Sequence, residues 1–198
     1  MFALTIDQRS SQTRPDRVPE LLGLLTGVAT TLPFERTAGD EVQGLMTAPE
    51  GVIEAIERTM QSGDWSIGLG IGPIESPLPD SVRSARGPAL VLAREAVDAA
   101  KKVSTVRLAV RQHKPSDAGR ESEALLRLVA VVLQRRTEAQ WRVIDAVRTA
   151  PDRSVAADKL GITIQAISKS LITSAEDVVL DVYPLLARLL TDADERSE

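Results

Sequence analysis

The chain has 198 residues, 43% apolar and 26% charged, a balance that suits one or two globular soluble domains. It holds no cysteine and one histidine, His113. This excludes disulfides, thiol catalysis, cysteine-based zinc sites and any multi-histidine metal centre, and it fits a reducing cytoplasm. The net charge of −4 lacks the basic surplus of a dedicated DNA binder, so any DNA contact must come from a local patch.

No apolar run approaches the ~20 residues of a membrane span, and Phe2–Ile6, stopped by Asp7, is too short for a signal peptide. Phe2–Ile6 reads instead as a buried strand. A polar segment from Gln8 to Arg17 follows, and Asp16 is placed to cap a helix with Leu21, Leu22, Leu25 and Val28 on one face. Phe34–Thr37 and Val42–Thr47 predict a hairpin around Ala38-Gly39-Asp40-Glu41. Pro49–Met60 predicts a helix. Ser66–Gly72 alternates Ile67, Leu69 and Ile71 with glycines, the pattern of a strand that another backbone approaches closely. After a Pro/Ser/Gly-rich loop, Ala89–Lys102 predicts a helix and Val103–Val110 a strand. The order β-α-β-β-α-β-α-β over residues 1–112 calls for a sheet with helices packed on it. His113 is expected exposed in the loop that follows.

Beyond residue 114 the periodicity is helical throughout. Glu121–Arg135 has a broad apolar face, suited to signal transmission, to dimerisation or to a plain core. Helices are expected at Glu138–Thr149, from about Arg153 to Gly161, from about Thr163 to Thr173, and from Ala175 to Leu190 with a bend near Pro184. The acidic tail Thr191–Glu198 is expected to fray. The expected division is residues 1–114, a connecting segment 115–136, and 137–198.

Residues Arg153 to Leu171 have the cadence of a helix-turn-helix. Ala157 is small enough for two helices to touch, Gly161 supplies the turn, Leu160, Ile162 and Ile167 fill the space between, and Thr163 caps the second helix. That helix offers Gln165, Ala166, Ser168 and Lys169 to a major groove, where Gln can pair with adenine and Lys can reach guanine. Arg148, Arg153 and Lys159 are phosphate candidates. Asp145, Asp152 and Asp158 dilute the local charge, so tight binding would need two copies on one duplex, and a homodimer is expected.

In the first half, Asp7 ends a strand while Asp40 and Glu41 sit at a hairpin tip. Both placements also suit ordinary turn chemistry. If the strands are neighbours, the three carboxylates converge as hard oxygen ligands for Mg²⁺. Gln8, Arg9, Ser10 and Ser11 could then offer backbone N–H groups and hydroxyls to nucleotide phosphates, Gly39 would let a nucleotide approach the backbone, and Arg94 could reach a terminal phosphate.

Thr5–Ser11, Thr37–Gly44, Ile67–Gly72 and Gly87–Ala96, with Thr137–Leu171, resemble the SatD-like family of bacterial proteins. The resemblance covers most of the chain. It implies an α+β fold: a ferredoxin-like, nucleotide-cyclase-type palm similar to that of G-G-D-E-F and class III cyclases, followed by an all-α helix-turn-helix domain. By position it implies that Asp7, Asp40 and Glu41 match the cyclase metal carboxylates, Gly39 the glycine before them, and Arg94 a basic helix residue facing phosphate. Ala38 and Val42 depart from the cyclase signature.

Three readings follow. The first is a DNA-binding transcriptional regulator that responds to a nucleotide through a degenerate palm. The second is a diguanylate-type nucleotidyl cyclase. The third is a ligand-free dimeric repressor with a vestigial palm.

Overall fold

Five short apolar runs pair into one mixed sheet in the computed structural model of the chain, which describes residues 1–197. They are β1 (Phe2–Gln8), β2 (Leu32–Ala38), β3 (Glu41–Met46), β4 (Trp65–Ile71) and β5 (Leu108–Gln112), ordered β2-β3-β1-β4-β5. Neighbours are antiparallel except β4 and β5, which are parallel. Three helices join them: α1 (Val18–Leu25), α2 (Pro49–Ser62) and α3 (Pro88–Ala100). The fold class is α+β, and the element order over the first 112 residues is the expected one. The largest boundary shift is in β5, which begins at Leu108, not near Val103. The amides of Lys101, Lys102 and Val103 bond back to Val97, Ala99 and Ala100, which holds that stretch to the end of α3.

Alternation along each strand divides the sheet into two faces. Phe2, Leu4 and Ile6 join Ile67, Leu69, Ile71, Leu108 and Val110 in one core, closed by α1 and α2. Ala3, Thr5 and Asp7 point to the other face, where α3 lies on β4 and β5. There Gly68 and Gly70 permit what the glycine alternation predicts. A Cβ on Gly68 would collide with the Ala93 carbonyl oxygen, and one on Gly70 with that of Ala89. The helix contributes Ala89, Ala93, Ala96 and Ala100, so backbone meets backbone with almost no side chain between.

The second half is five helices: α4 (Asp117–Gln134), α5 (Glu138–Thr149), α6 (Arg153–Leu160), α7 (Ile164–Thr173) and α8 (Glu176–Glu195). They do not divide at residue 137. Leu126, Val129, Ala130 and Leu133 of α4 and Val179, Leu186, Leu190 and Ala193 of α8 share one core with Phe2, Leu4 and Ile6. Only α5–α7 build a separate small core, around Val143, Ala146, Ala156, Ala157 and Ile167. The chain leaves the sheet after α4 and returns to it along α8.

The acidic tail differs from expectation as well. The helix runs unbroken through Pro184 to Glu195, Ala193 and Ser197 are buried, and Gln112 Nε2 donates to the Ala193 carbonyl at 2.6 Å. Asp194 pairs with the Met1 amine. Docking onto the sheet supplies what local propensity lacks. Glu198 lies outside the described residues. No helix among the described residues is long and apolar enough to cross a membrane.

Candidate functional site

At one end of the sheet the β2–β3 connection is a two-residue turn, Gly39-Asp40, with Gly39 at φ +56° in the first central position. That is the glycine placement of a II′ hairpin turn, whose twist matches the flanking strands. Register puts Glu41 opposite Asp7, so the two carboxylates share the α3 face. Each already has a cation, Glu41 from α3 and Asp7 from the residue just past its C-terminal end. Lys101 Nζ stands 2.7 Å from Asp7 Oδ2, and Arg94 Nη2 stands 3.0 Å from Glu41 Oε1. Thr37 Oγ1 also donates to Glu41 Oε1 at 2.6 Å. Half-buried Asp40 lies beside them on the turn. Among the described residues, no three His, Cys, Asp or Glu side chains gather as a cation cage.

Burial pushes the Asp7 carboxyl above its ordinary value of 3.8, and the Lys101 partnership only partly offsets this, while Asp40 and Glu41 add to the rise. A carboxyl raised by folding contributes stability that is full below the unfolded value and is lost as pH rises through the folded one. Asp7→Asn has no such loss. Urea unfolding at pH 3.5 and pH 7 therefore shows the variant gaining on the parent at the higher pH, and a constant gap contradicts the assignment.

The structure scatters the residues expected to cradle a nucleotide. Gln8 points to the opposite face from Asp7. Its Oε1 accepts from Arg17 N and its Nε2 donates to Pro15 O, so it staples the following loop. Arg9 lies 3.7 Å from Asp64 and lines a polar cleft of about 240 Å³ with Trp65, Thr105 and Arg107. Ser10 (φ +57°) and Ser11 are exposed in the turn beyond it. Arg94 faces a different cavity, of about 410 Å³, together with Thr37, Gln43, Arg83 and Arg86. Sequence reasoning passed over Arg83 and Arg86 because their loop has no periodic pattern to place them. His113 is exposed, as expected.

In the C-terminal half, α6 is capped by Asp152, whose Oδ1 accepts from Ser154 N and Val155 N. It ends at Gly161 in the left-handed region (φ +65°), with Ile162 N bonded to Ala157 O across the turn. Thr163 Oγ1 accepts from Ala166 N at 3.1 Å and caps α7. Ala157 and Ile167 are buried between the helices, and Leu160 packs beside them. Ile162 does not fill that space: it is 38% exposed. Gln165, Ala166 and Lys169 are exposed on α7, Ser168 is half-buried, and Arg153 is exposed at the start of α6. The Thr163 hydroxyl is engaged by its cap. Thr163→Ala should cost about 1 kcal/mol of stability by chemical denaturation.

Arg148, expected to reach phosphate, is committed elsewhere. It pairs with Glu57 of α2 (2.9 Å) and Glu176 of α8 (2.7 Å). Arg136, between α4 and α5, joins them: its Nη2 lies 2.9 Å from Glu176, its Nη1 3.5 Å from Glu57, and its Nε donates to Ser174 O. Its guanidinium lies over Trp141, 4.7 Å from the ring centroid. Burial opposes the charge of Arg148, but the two carboxylates outweigh it and push its pKa up. Tyr183 is pushed up by burial and by the Glu57 charge. This tetrad, buried except for Arg148, ties both ends of α5–α7 to a helix of the sheet half.

No protein-family model matches the chain, and no curated protein or solved structure matches it significantly.

Proposed function

We propose that the protein is a DNA-binding transcriptional regulator in which α7 reads the major groove and the sheet half senses a nucleotide. One observation carries the reading. The α6–turn–α7 unit joins the buried Ala157–Ile167 contact, the left-handed Gly161 and the Thr163 cap, and it leaves Gln165, Ala166 and Lys169 facing water at the start of α7. Arg153 is placed for backbone phosphate. Two copies per operator offset the thin basic surface.

The antiparallel order β2-β3-β1-β4, with α1 and α2 on one face, supports a ferredoxin-like, cyclase-type palm to which β5 is added. The pairing of Asp7 with Lys101 and Glu41 with Arg94 favours sensing over catalysis, since Mg²⁺ would have to displace two cations. The Arg136–Glu57–Glu176–Arg148 tetrad is the route from palm to reader. Coupling requires the ligand to prefer one placement of α5–α7 over another.

Fluorescence anisotropy on a selected duplex tests the reader. Gln165→Ala should weaken specific binding by about 1–3 kcal/mol, and Lys169→Ala should do the same. If both variants bind as tightly as the parent with the same salt slope, α7 is not the reading helix.

A further inference from the structure

The cavity that Arg94 lines lies over β2 and β3, between the sheet and the Ser81–Gly87 loop, one strand out from Asp7. Its volume of about 410 Å³ is within the range of small-molecule sites and larger than a bare phosphate needs. Three arginines line it. Arg83 and Arg86 are exposed residues of the loop, and their side chains make no ion pair among the described residues. Arg94, on the second turn of α3, is held by Glu41. The two carboxylates of the adjoining strands are occupied: Glu41 by Thr37 and Arg94, Glu35 by the Ser81 hydroxyl at 2.5 Å. Gly87, Leu90, Val91 and Arg94, one side of the first two turns of α3, close the cavity on that face.

We propose that this cavity binds the adjacent phosphate groups of a small di- or triphosphate, gripped by Arg83, Arg86 and Arg94. The planar guanidinium fork suits bidentate phosphate contacts, and three of them call for a ligand with more than one phosphate group. The rest of the wall is Thr37, Gln43, Gly87, Val82, Ala85, Leu90 and Val91, without an aromatic ring. No stacking platform distinguishes one base from another. Affinity therefore resides in the phosphates, and an inorganic and an organic source of the same group are both accepted. The proposal rests on the sensing part of the function above and gives it a ligand class. It moves the phosphate site from the Gln8–Ser11 loop to the Ser81–Gly87 loop.

Isothermal titration of the full chain with inorganic pyrophosphate, ATP, GTP and AMP tests it, with Arg83→Gln/Arg86→Gln beside the parent. Both substituted residues are exposed, so the variant should fold, and an unchanged melting temperature confirms this. Pyrophosphate and both triphosphates should bind more tightly than AMP, and the double substitution should weaken them at least tenfold. Similar affinity of pyrophosphate and triphosphates indicates recognition of two adjacent phosphates alone, while tighter triphosphates show that the third phosphate or the nucleoside is gripped as well. No binding of pyrophosphate or either triphosphate overturns the proposal, as does equal binding by parent and variant. Duplex binding measured in parallel separates the two claims. Phosphate binding without any sequence-specific duplex binding refutes the regulator and leaves the cavity assigned. Duplex binding without phosphate binding does the reverse.

Discussion

Replacing Arg136 with methionine should lower the unfolding free energy by about 3 kcal/mol, at the lower end of the cost of breaking a buried ion pair. The guanidinium side chain is 1% exposed and holds Glu57 and Glu176, themselves nearly buried. Removing it leaves two buried carboxylates to share Arg148 alone and leaves the Ser174 carbonyl without its donor. The packing over Trp141 is only partly replaced by the thioether. Urea denaturation followed by far-UV dichroism measures this. A change below about 0.5 kcal/mol would be that of an exposed pair and would contradict the buried pairing of Arg136 with Glu57 and Glu176. The tetrad also joins α2 to α5 and α8, so the loss should loosen α5–α7 before the sheet. Hydrogen exchange should show protection falling first in α5–α7.

Gly70→Val should be at least as damaging, about 3 kcal/mol or more. A Cβ at that position meets the Ala89 carbonyl oxygen and the Ala93 amide, both backbone atoms of α3 that no rotamer can move aside. The helix must lift from β4, opening the interface of Ala93, Ala96 and Ala100 with the sheet. The same substitution at Gly23, where a Cβ would meet nothing within 4 Å, serves as the control. If the two variants melt together, close backbone packing of α3 on β4 is wrong.

What could be read in the sequence was whatever is local or periodic. The Ile67-Gly-Leu-Gly-Ile71 alternation declares both faces of β4 and the close approach of α3. The offsets among Ala157, Gly161, Thr163 and Ile167 declare the turn between α6 and α7, because each requirement falls within a few residues of the next. Gly39-Asp40 declares its hairpin by the positive φ that glycine accepts.

The rest depends on contacts distant in the chain. Arg148 reads as a free basic residue until Glu57, 91 positions away, arrives beside it. The end of α8 reads as a fraying acidic tail until Gln112, 81 positions away, binds its backbone. Gln8 reads as a polar ligand because strand alternation assigns its face only once the register with Trp65 is known. The carboxylate pair was legible as a convergence of Asp7 and Glu41. Its counter-ions, Lys101 and Arg94, come from a helix whose placement on that face only the tertiary fold fixes.

The central claim is that α7 reads a DNA sequence. The most direct measurement is genome-wide mapping of the DNA bound by the protein in its own host, with the Gln165→Ala/Lys169→Ala double variant mapped beside it. Reading by α7 should give discrete sites sharing a two-fold related motif, with half-sites one helical turn apart, and their loss in the variant. A profile without shared sequence, or the same sites bound equally by parent and variant, would contradict it.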